Sequence, residues 1–322
     1  MSNSIPERQN EPEFIDLLFA SQRAYKLAKT ASNVQCFLAI SAIGASQVAY
    51  HWFPGDPDRK ALAAVYSFLV LFFNTLLLEK CRNNYQRMAA NIQEIFDTTL
   101  FELPWNDYRV GPSTAKEEIA GLVRAAKNPG MTRGLLRRMG LRNKTELKDW
   151  YPTQVGQLPL QYARFICQRA SLFWDSKLRR NLAMGVKLSG FVIAALICLG
   201  CVYFELNMNT IVISVLAPTL PLAAKIYRDV CKHESSADFS DRAKSLLESV
   251  WGKIIKDSSS LTEFDMTDAS RRVQDELYDR RRTSPLVPEW FYHFFRKGFE
   301  DNMKQGAEEM VARAKASLSS SS

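Results

Sequence analysis

The amino-acid sequence predicts an all-α membrane protein: two transmembrane helical hairpins with a helical cytoplasmic domain built from the central segment and the C-terminal tail. Three observations support this prediction. The apolar residues are concentrated in four blocks, the blocks form two pairs with very short turns, and the excess positive charge lies between the pairs. We divide the chain into an N-terminal cytoplasmic amphipathic helix, the first hairpin, a central cytoplasmic segment, the second hairpin and a C-terminal cytoplasmic helical segment, at residues 1–33, 34–78, 79–181, 182–227 and 228–322.

The first segment has the pattern of an amphipathic helix that begins at Pro12, since proline is favoured in the first turn of a helix. Several of its side chains recur on one face at helical spacing, with charged residues opposite. These are Phe14, Leu17, Leu18, Ser21 and Tyr25. We expect this helix to lie along the membrane surface or to pack on the cytoplasmic domain.

The first hairpin begins with residues 34–53, which contain no Asp, Glu, Lys or Arg. A helix of this length spans about 30 Å, the thickness of the hydrocarbon core of a bilayer. The block ends in the aromatic residues Tyr50, Trp52 and Phe53, which are typical of a membrane interface. A short turn follows, and residues 61–78 return through the membrane. The turn is too short to form a domain.

The second hairpin is predicted at residues 184–204 and 210–227, with only residues 205–209 between the two spans. Basic residues flank one end of the spans in both hairpins, and such residues mark the cytoplasmic side. They are Lys80, Arg82, Arg179, Arg180, Lys225 and Arg228. The sequence therefore predicts a multi-pass membrane protein with both termini in the cytoplasm.

The net charge of +8 raises the question of a nucleic-acid partner. The excess lies in residues 79–181, with eighteen Lys and Arg against ten Asp and Glu, while both terminal segments are neutral. Positive charge between two hairpins fixes membrane orientation, so no DNA or RNA partner is predicted.

The richest basic stretch has one acidic residue, Glu146, and lies between residues 124 and 148. Its basic residues are Arg124, Lys127, Arg133, Arg137, Arg138, Arg142, Lys144 and Lys148. Such a cluster binds anionic lipid headgroups or, as the alternative, a phosphorylated small ligand. The same logic applies more weakly to Arg280, Arg281 and Arg282.

Polar residues and prolines within the apolar blocks are candidates for helix packing or pore lining. The polar residues are Gln47, Asn74, Thr75, Ser214 and Thr219. An amide or hydroxyl at membrane depth usually faces another helix or water, and the sequence leaves both alternatives open. Pro218 and Pro221 remove helical hydrogen bonds, which predicts a static kink or a hinge in the fourth span.

Motifs for catalysis and metal binding are absent from the sequence. It has no Gly-rich phosphate loop, nucleophile elbow or paired-histidine motif, and its three histidines have no second ligand at helical spacing. Its six cysteines show no disulfide framework, which favours a reducing cytosol for the soluble part. We therefore predict a protein that is not an enzyme and that needs no cofactor or metal.

Several strings in the cytoplasmic segments are more specific than helical periodicity requires. They are QEIFD (93–97), LFELPWN (100–106), WYP (150–152), CQR (167–169), WD (174–175), LR (178–179), RVQDELY (272–278) with Arg281, and VPEWFY (287–292) with Arg296. In their order and spacing around the hairpins they resemble the SMODS-associated four-transmembrane effector family. Ser171 departs from the family pattern, in which we expect Asn before the Trp-Asp pair.

The resemblance implies a bacterial antiphage defence effector that permeabilises the inner membrane, through a pore, when its cytoplasmic domain senses a cyclic oligonucleotide. It also implies a homo-oligomer. The residues we expect to bind the ligand are Arg133, Arg137, Arg138, Arg142 and Arg169. The alternative is a membrane-anchored scaffold or lipid-binding protein without pore activity.

Overall fold

The computed structural model describes residues 3–53, 55–124, 144–256 and 262–320. Within these residues the chain is helical and contains no strand, which confirms the all-α prediction for this part of the protein. Its long helices are α1 (Pro12–His51), α2 (Pro57–Phe73), α3 (Glu79–Phe101), α4 (Leu160–Tyr203), α5 (Ala217–Lys256), α6 (Glu263–Thr283) and α7 (Glu289–Ser320). Short helices occupy Ile5–Arg8, Asp107–Val110, Lys116–Arg124, Lys144–Leu147, Thr153–Gln157 and Met208–Thr210.

Two helices of the described chain are long and apolar enough to cross a membrane. The first is Pro57–Phe101, in which α2 and α3 are joined by the π-helical segment Asn74–Leu78, and the second is α4. At 1.5 Å per residue their 45 and 44 residues extend roughly 65 Å, about twice the thickness of a bilayer core. Each apolar stretch therefore continues directly into a more polar stretch of the same helix that extends beyond a bilayer core.

The other two apolar blocks also lie in long helical stretches. Residues 34–51 form the second half of α1, and residues 211–227 consist of the π-helical segment Ile211–Leu216 and the first part of α5. The helix α1 is continuous across the boundary that we placed between residues 33 and 34. Its first half packs on the other polar helices, where Phe14 and Leu18 are buried.

Aromatic side chains form the centre of the hydrophobic core. The Phe96 ring lies 5.7 Å from that of Phe14 and 6.2 Å from that of Tyr151, and Tyr151 lies 5.2 Å from Phe101. These contacts join α1, α3 and the chain segment before α4. All four side chains are almost fully buried, so their hydrophobic area holds the first half of α1 against α3.

A buried layer of charged and amide groups joins α3 to α6. Both oxygens of Glu94 accept hydrogen bonds, from Arg271 Nη2 at 2.6 Å and from Gln274 Nε2 at 2.9 Å. Asp97 accepts from Gln274 at 2.9 Å and from Arg281 Nη1 at 2.5 Å. Burial raises the pKa of Glu94 even though Arg271 opposes the shift. Each member satisfies its neighbours, so the layer depends on every partner being present.

Removal of one charge from this layer tests its contribution to stability. We expect Arg271→Met to lower the free energy of unfolding by about 3 to 5 kcal/mol, because it leaves Glu94 buried without its cation. Arg272→Met is the matched control: Arg272 pairs with Asp268 at 2.7 Å, but its side chain is 79% exposed, so the change should be below about 1 kcal/mol. Chemical unfolding of the detergent-solubilised chain measures both. Equal effects of the two substitutions would contradict the role of the buried layer.

Candidate functional site

A cavity of about 560 Å³ lies between α1, α4, the end of α6 and the start of α7. Residues of α1 and α4 reach it because they recur at helical spacing on one face of each helix. From α1 these are Leu18, Ser21, Gln22, Tyr25 and Lys29, and from α4 Ala170, Ser171, Trp174, Asp175, Leu178 and Arg179. The segment 146–151 and the α3 residues Gln86 and Gln93 complete the walls.

The end of α6 brings two arginines, Arg280 and Arg281, into the cavity. The helix stops before Pro285, which cannot continue its hydrogen-bond ladder. Gln86 Nε2 of α3 donates to the carbonyl oxygens of Arg281 at 3.2 Å and Ser284 at 2.6 Å, so the helix end is satisfied by a side chain. This contact fixes the position of both arginines relative to α3.

Three guanidinium groups that line the cavity pair with two carboxylates, of which Asp175 also lines it and Asp97 is fully buried. Asp175 accepts from Arg179 Nε at 2.6 Å and lies 3.0 Å from Arg280 Nη1, while Arg281 pairs with Asp97. The side chains of Arg179, Arg280 and Arg281 are only 8%, 5% and 11% exposed. The cluster thus buries one more positive charge than it neutralises.

The pKa values of the arginines in the cluster shift in different directions. Although burial opposes the shift, the carboxylate of Asp97 raises the pKa of Arg281. Burial and the neighbouring Arg179 and Arg281 together lower the pKa of Arg280 to about 10, against the effect of Asp175. Burial also raises the pKa of Tyr25 to about 12, so its hydroxyl is neutral at physiological pH. An anion that entered the cavity would relieve the excess charge.

His233 of α5 makes a hydrogen bond with Arg179. Its Nδ1 lies 3.2 Å from Arg179 Nη1, which also donates to the carbonyl oxygen of Pro285 at 2.9 Å. Burial, together with the positive charge of Arg179, lowers the pKa of His233 to about 4. The imidazole is therefore neutral and accepts the hydrogen bond from the guanidinium.

Aromatic rings form another wall of the cavity. The rings of Trp174 and Tyr292 lie 4.9 Å apart with an interplanar angle of 34°, and Tyr25 and Trp150 also line the space. Six basic residues line the cavity against four acidic ones, the basic ones being Lys29, Lys148, Arg179, Arg280, Arg281 and Lys304. Guanidinium and ammonium groups bind phosphate oxygens, and aromatic rings stack on nucleobases. The arrangement suits a ligand that carries both.

Four of the five predicted ligand-binding residues lie outside the described residues, and the fifth, Arg169, does not line this cavity. The four are Arg133, Arg137, Arg138 and Arg142. Arg169 lies on α4 and pairs with Glu248 of α5 at 2.7 Å. A Cβ added at Gly306 of α7 would lie 3.3 Å from Arg169 Nη1, so this side chain fills the contact between three helices. The role of all five in ligand binding stays a prediction.

The sequence pattern did not single out the arginines that the cavity brings together. Arg280 and Arg281 belong to the cluster that we ranked lower, and Arg179 was interpreted only as a charge that orients a span. The signal that points to them is the set of family strings. These strings supply Gln93, Trp150, Tyr151, Trp174, Asp175, Leu178, Arg179, Arg281, Val287, Glu289 and Tyr292 to the cavity. Ser171, the position that departs from the family pattern, lines it as well.

The polar residues of the first hairpin make contacts both between and within helices. The carbonyl oxygen of Asn74 accepts from Gln35 Nε2 at 3.4 Å, which joins α1 to the π-helical segment. Thr75 Oγ1 donates within its own helix to Leu71 at 2.9 Å, and Gln47 is half-buried. The Ser41 hydroxyl lies 2.7 Å from that of Tyr66, so a second polar contact joins α1 to α2.

The polar residue and the prolines of the fourth predicted span lie around a second π-helical segment. Ser214 belongs to Ile211–Leu216, Pro218 follows it, and Pro221 lies inside α5. Proline cannot donate a helical hydrogen bond, and a π-turn rearranges the ladder at the same place. The backbone thus departs from a regular α-helix in this part of the span.

Comparison with known proteins agrees with the resemblance that the strings indicate. Residues 3–310 match the family model described as the SMODS-associating 4TM effector domain. The chain belongs to this family. It is also 24% identical over 308 residues to a protein of Bacillus cereus strain VD146 described as a probable CBASS effector molecule, with 93% of this chain and 95% of the relative covered. No solved structure matches the chain.

The family assignment and the two long apolar helices make this a membrane protein of an antiviral defence family. The name of the family describes an effector with four transmembrane segments. Outside the apolar stretches, the described residues form a cavity with buried arginines and aromatic walls.

The pH dependence of stability tests the neutral state of His233. Its pKa is about 4 in the folded protein and 6.5 in a model peptide, so between these values the unfolded chain binds more protons. Stability should therefore fall as the pH is lowered from about 7 to 4, by a total of about 3 kcal/mol from this residue. His233→Gln keeps a hydrogen-bond acceptor but does not titrate. Chemical unfolding at several pH values should show a smaller loss for the variant, and identical pH profiles would contradict the assignment.

Proposed function

We propose that this protein is an antiphage defence effector that permeabilises the bacterial inner membrane when a cyclic oligonucleotide binds in the cavity. One observation carries the proposal: the walls of the cavity are cytoplasmic continuations of helices that hold the apolar blocks. Tyr25 and Lys29 precede the first block on α1, and Asp175 and Arg179 precede the third on α4. A ligand between these helices acts directly on the membrane segments.

The proposed topology has four transmembrane segments with both termini in the cytoplasm. Two come from Pro57–Phe101 and α4. The other two are the second half of α1 and the stretch from residue 210 into α5, which are the partners of the first two in the hairpins. Large apolar side chains are exposed on both of the latter, including Phe37, Ile40, Val212 and Leu220. In a bilayer these surfaces contact lipid.

A cyclic oligonucleotide fits the chemistry of the cavity because it alternates phosphates with flat bases. Its phosphates would neutralise the excess charge around Arg280 with charge-assisted hydrogen bonds. Its bases would stack on Trp174, Tyr292 or Tyr25. The volume of about 560 Å³ is within the range of sites for small organic ligands.

Control of the membrane segments needs two arrangements that bind the ligand with different affinity. A change from 1% to 99% of the active arrangement takes about 5.5 kcal/mol of differential binding free energy. The Lys29–Glu289 ion pair joins α1 to α7 at the cavity wall, and a phosphate would compete with Glu289 for Lys29. Several such contacts in each subunit of a homo-oligomer supply the required free energy.

In the proposed active state a homo-oligomer surrounds a pore lined by polar residues of the spans. Gln47, Asn74, Thr75 and Ser214 provide amide and hydroxyl groups for this lining. The π-helical segments and the prolines Pro218 and Pro221 provide places where a helix changes its curvature. The basic stretch at residues 124–148 holds the cytoplasmic domain near anionic lipids.

Binding of a panel of cyclic di- and trinucleotides to the full detergent-solubilised chain tests the ligand site. We expect Arg280→Gln to weaken binding at least tenfold, because the substitution removes a buried cation that the phosphate would pair with. Arg282→Gln is the matched control two residues away. Arg282 is 38% exposed and pairs with Asp279 at 3.0 Å, so this substitution should change affinity less than threefold. Equal losses in both variants would contradict binding in the cavity.

Release of dye from liposomes that contain the full chain tests the effector activity. The cyclic nucleotide that binds best should cause release, and Arg280→Gln should shift the required concentration upward by the same factor as its affinity. If no member of the panel causes release at any protein density, the pore proposal is wrong. Binding without release would instead support a membrane-anchored scaffold.

A further inference from the structure

The first two turns of α7 expose two large aromatic side chains. Trp290 is 71% exposed and Phe294 is 79% exposed, and they lie one helical turn apart on the same face. The adjacent residues Phe291 and Phe295 point the other way, into a hydrophobic cluster with Leu178 of α4. This part of α7 therefore has one aromatic face packed on protein and a second aromatic face that the described part of the chain leaves uncovered.

The exposed face lies at the level where the neighbouring helices become apolar on the outside. Phe291 packs with Leu182 of α4, and two residues later Met184 begins the outward apolar surface of that helix with 68% exposure. Glu289 pairs with Lys29 of α1, which lies five residues, or roughly 8 Å, before the exposed Val34. The start of α7 is thus fixed to two helices at the cytoplasmic ends of their membrane segments.

We propose that the first two turns of α7 are a membrane-interface anchor whose Trp290 and Phe294 insert into the headgroup region of the cytoplasmic leaflet. Tryptophan is enriched at this depth because its ring is apolar while its N–H bonds to water or headgroups. Helices with one aromatic or apolar face bind in the plane of the interface in the same way. The occupant of this face is lipid, since the face continues the apolar surfaces of α1 and α4.

Comparison with Phe264 shows why exposure alone does not identify a membrane contact: the position of the side chain relative to the apolar stretches also matters. It is also 79% exposed, but it lies in the first turn of α6. That end of α6 lies beside the far end of α3, since Arg164 joins the hydroxyl of Thr267 to the carbonyl oxygen of Phe101. Phe101 is 23 residues beyond the last residue of the π-helical segment, roughly 35 Å along the helix. Phe264 is therefore out of reach of the bilayer.

The anchor adds a second route between the cavity and the bilayer. Tyr292 lies between Trp290 and Phe294 in sequence, and its ring contacts Trp174 in the cavity wall. A ligand that stacks between these rings would rotate or shift the turns that hold the anchor. The anchor itself depends on the membrane placement of α1 and α4, and it does not depend on the identity of the ligand.

Tryptophan fluorescence of the full chain in vesicles tests the anchor. The variants Phe294→Trp and Phe264→Trp each add one tryptophan at an equally exposed position, and subtraction of the wild-type signal isolates the added residue. We expect lipids brominated near the headgroup to quench the residue at position 294 by at least half and to leave the residue at 264 unchanged. Aqueous iodide should do the reverse. The wild-type signal minus that of Trp290→Phe provides a second measurement without an added residue.

Two results would overturn the proposal. Quenching of positions 290 and 294 by iodide to the extent seen at 264 would show that the face lies in water. Resistance of positions 290 and 294 to both quenchers would show that protein covers the face, as in a contact with a second copy of the chain. Dye release is not used in this experiment, so failure of the anchor and failure of the pore proposal give different results.

Discussion

The arrangement of the cavity depends on the ion pairs that the carboxylate of Asp175 makes with two arginines. It accepts from Arg179 on its own helix and pairs with Arg280 on α6, while Asp97 holds Arg281. Three buried guanidinium groups would repel one another without these two carboxylates. Asp175 lies only nine residues before Met184 on α4. The residue that balances the positive charge is therefore on the same helix as an apolar stretch.

Helix continuity gives this charge balance a mechanical consequence. The described structure has no loop between the cavity residues of α1 and its apolar half, or between those of α4 and its apolar half. A displacement at Tyr25 or Asp175 therefore moves the membrane part of the same helix. The π-helical segments at Asn74–Leu78 and Ile211–Leu216 interrupt the regular ladder within two other apolar blocks, where a change of curvature costs little. Each hairpin thus pairs one uninterrupted helix with one helix that contains a π-helical segment.

The sequence predicted features that depend on local pattern and missed those that depend on tertiary contacts. Apolar blocks, short turns and helical periodicity are local, and they predicted the helical fold and the apolar face of α1, while the two transmembrane hairpins stay a prediction. The continuity of α1 across residue 33 could not be inferred, because a change from amphipathic to apolar composition also fits a helix boundary. Charge density ranked the stretch at 124–148 above Arg280 and Arg281, since a count of charges does not show which of them are buried. The pairing of Arg179 with Pro285 and of Arg280 with Asp175 spans about 100 residues of chain, and no spacing rule reaches that far.

The same buried charge sets the direction of the response to a ligand. Burial lowers the pKa of Arg280 to about 10, and the positive charges of Arg179 on α4 and Arg281 on α6 act in the same direction. An anion bound beside these arginines would favour the arrangement in which α4 and α6 hold them close together. Binding should therefore draw α1, α4 and α6 together around the ligand. With α1 and α4 in the membrane and the start of α7 at its surface, as proposed, this closure would change the relative tilt of the spans.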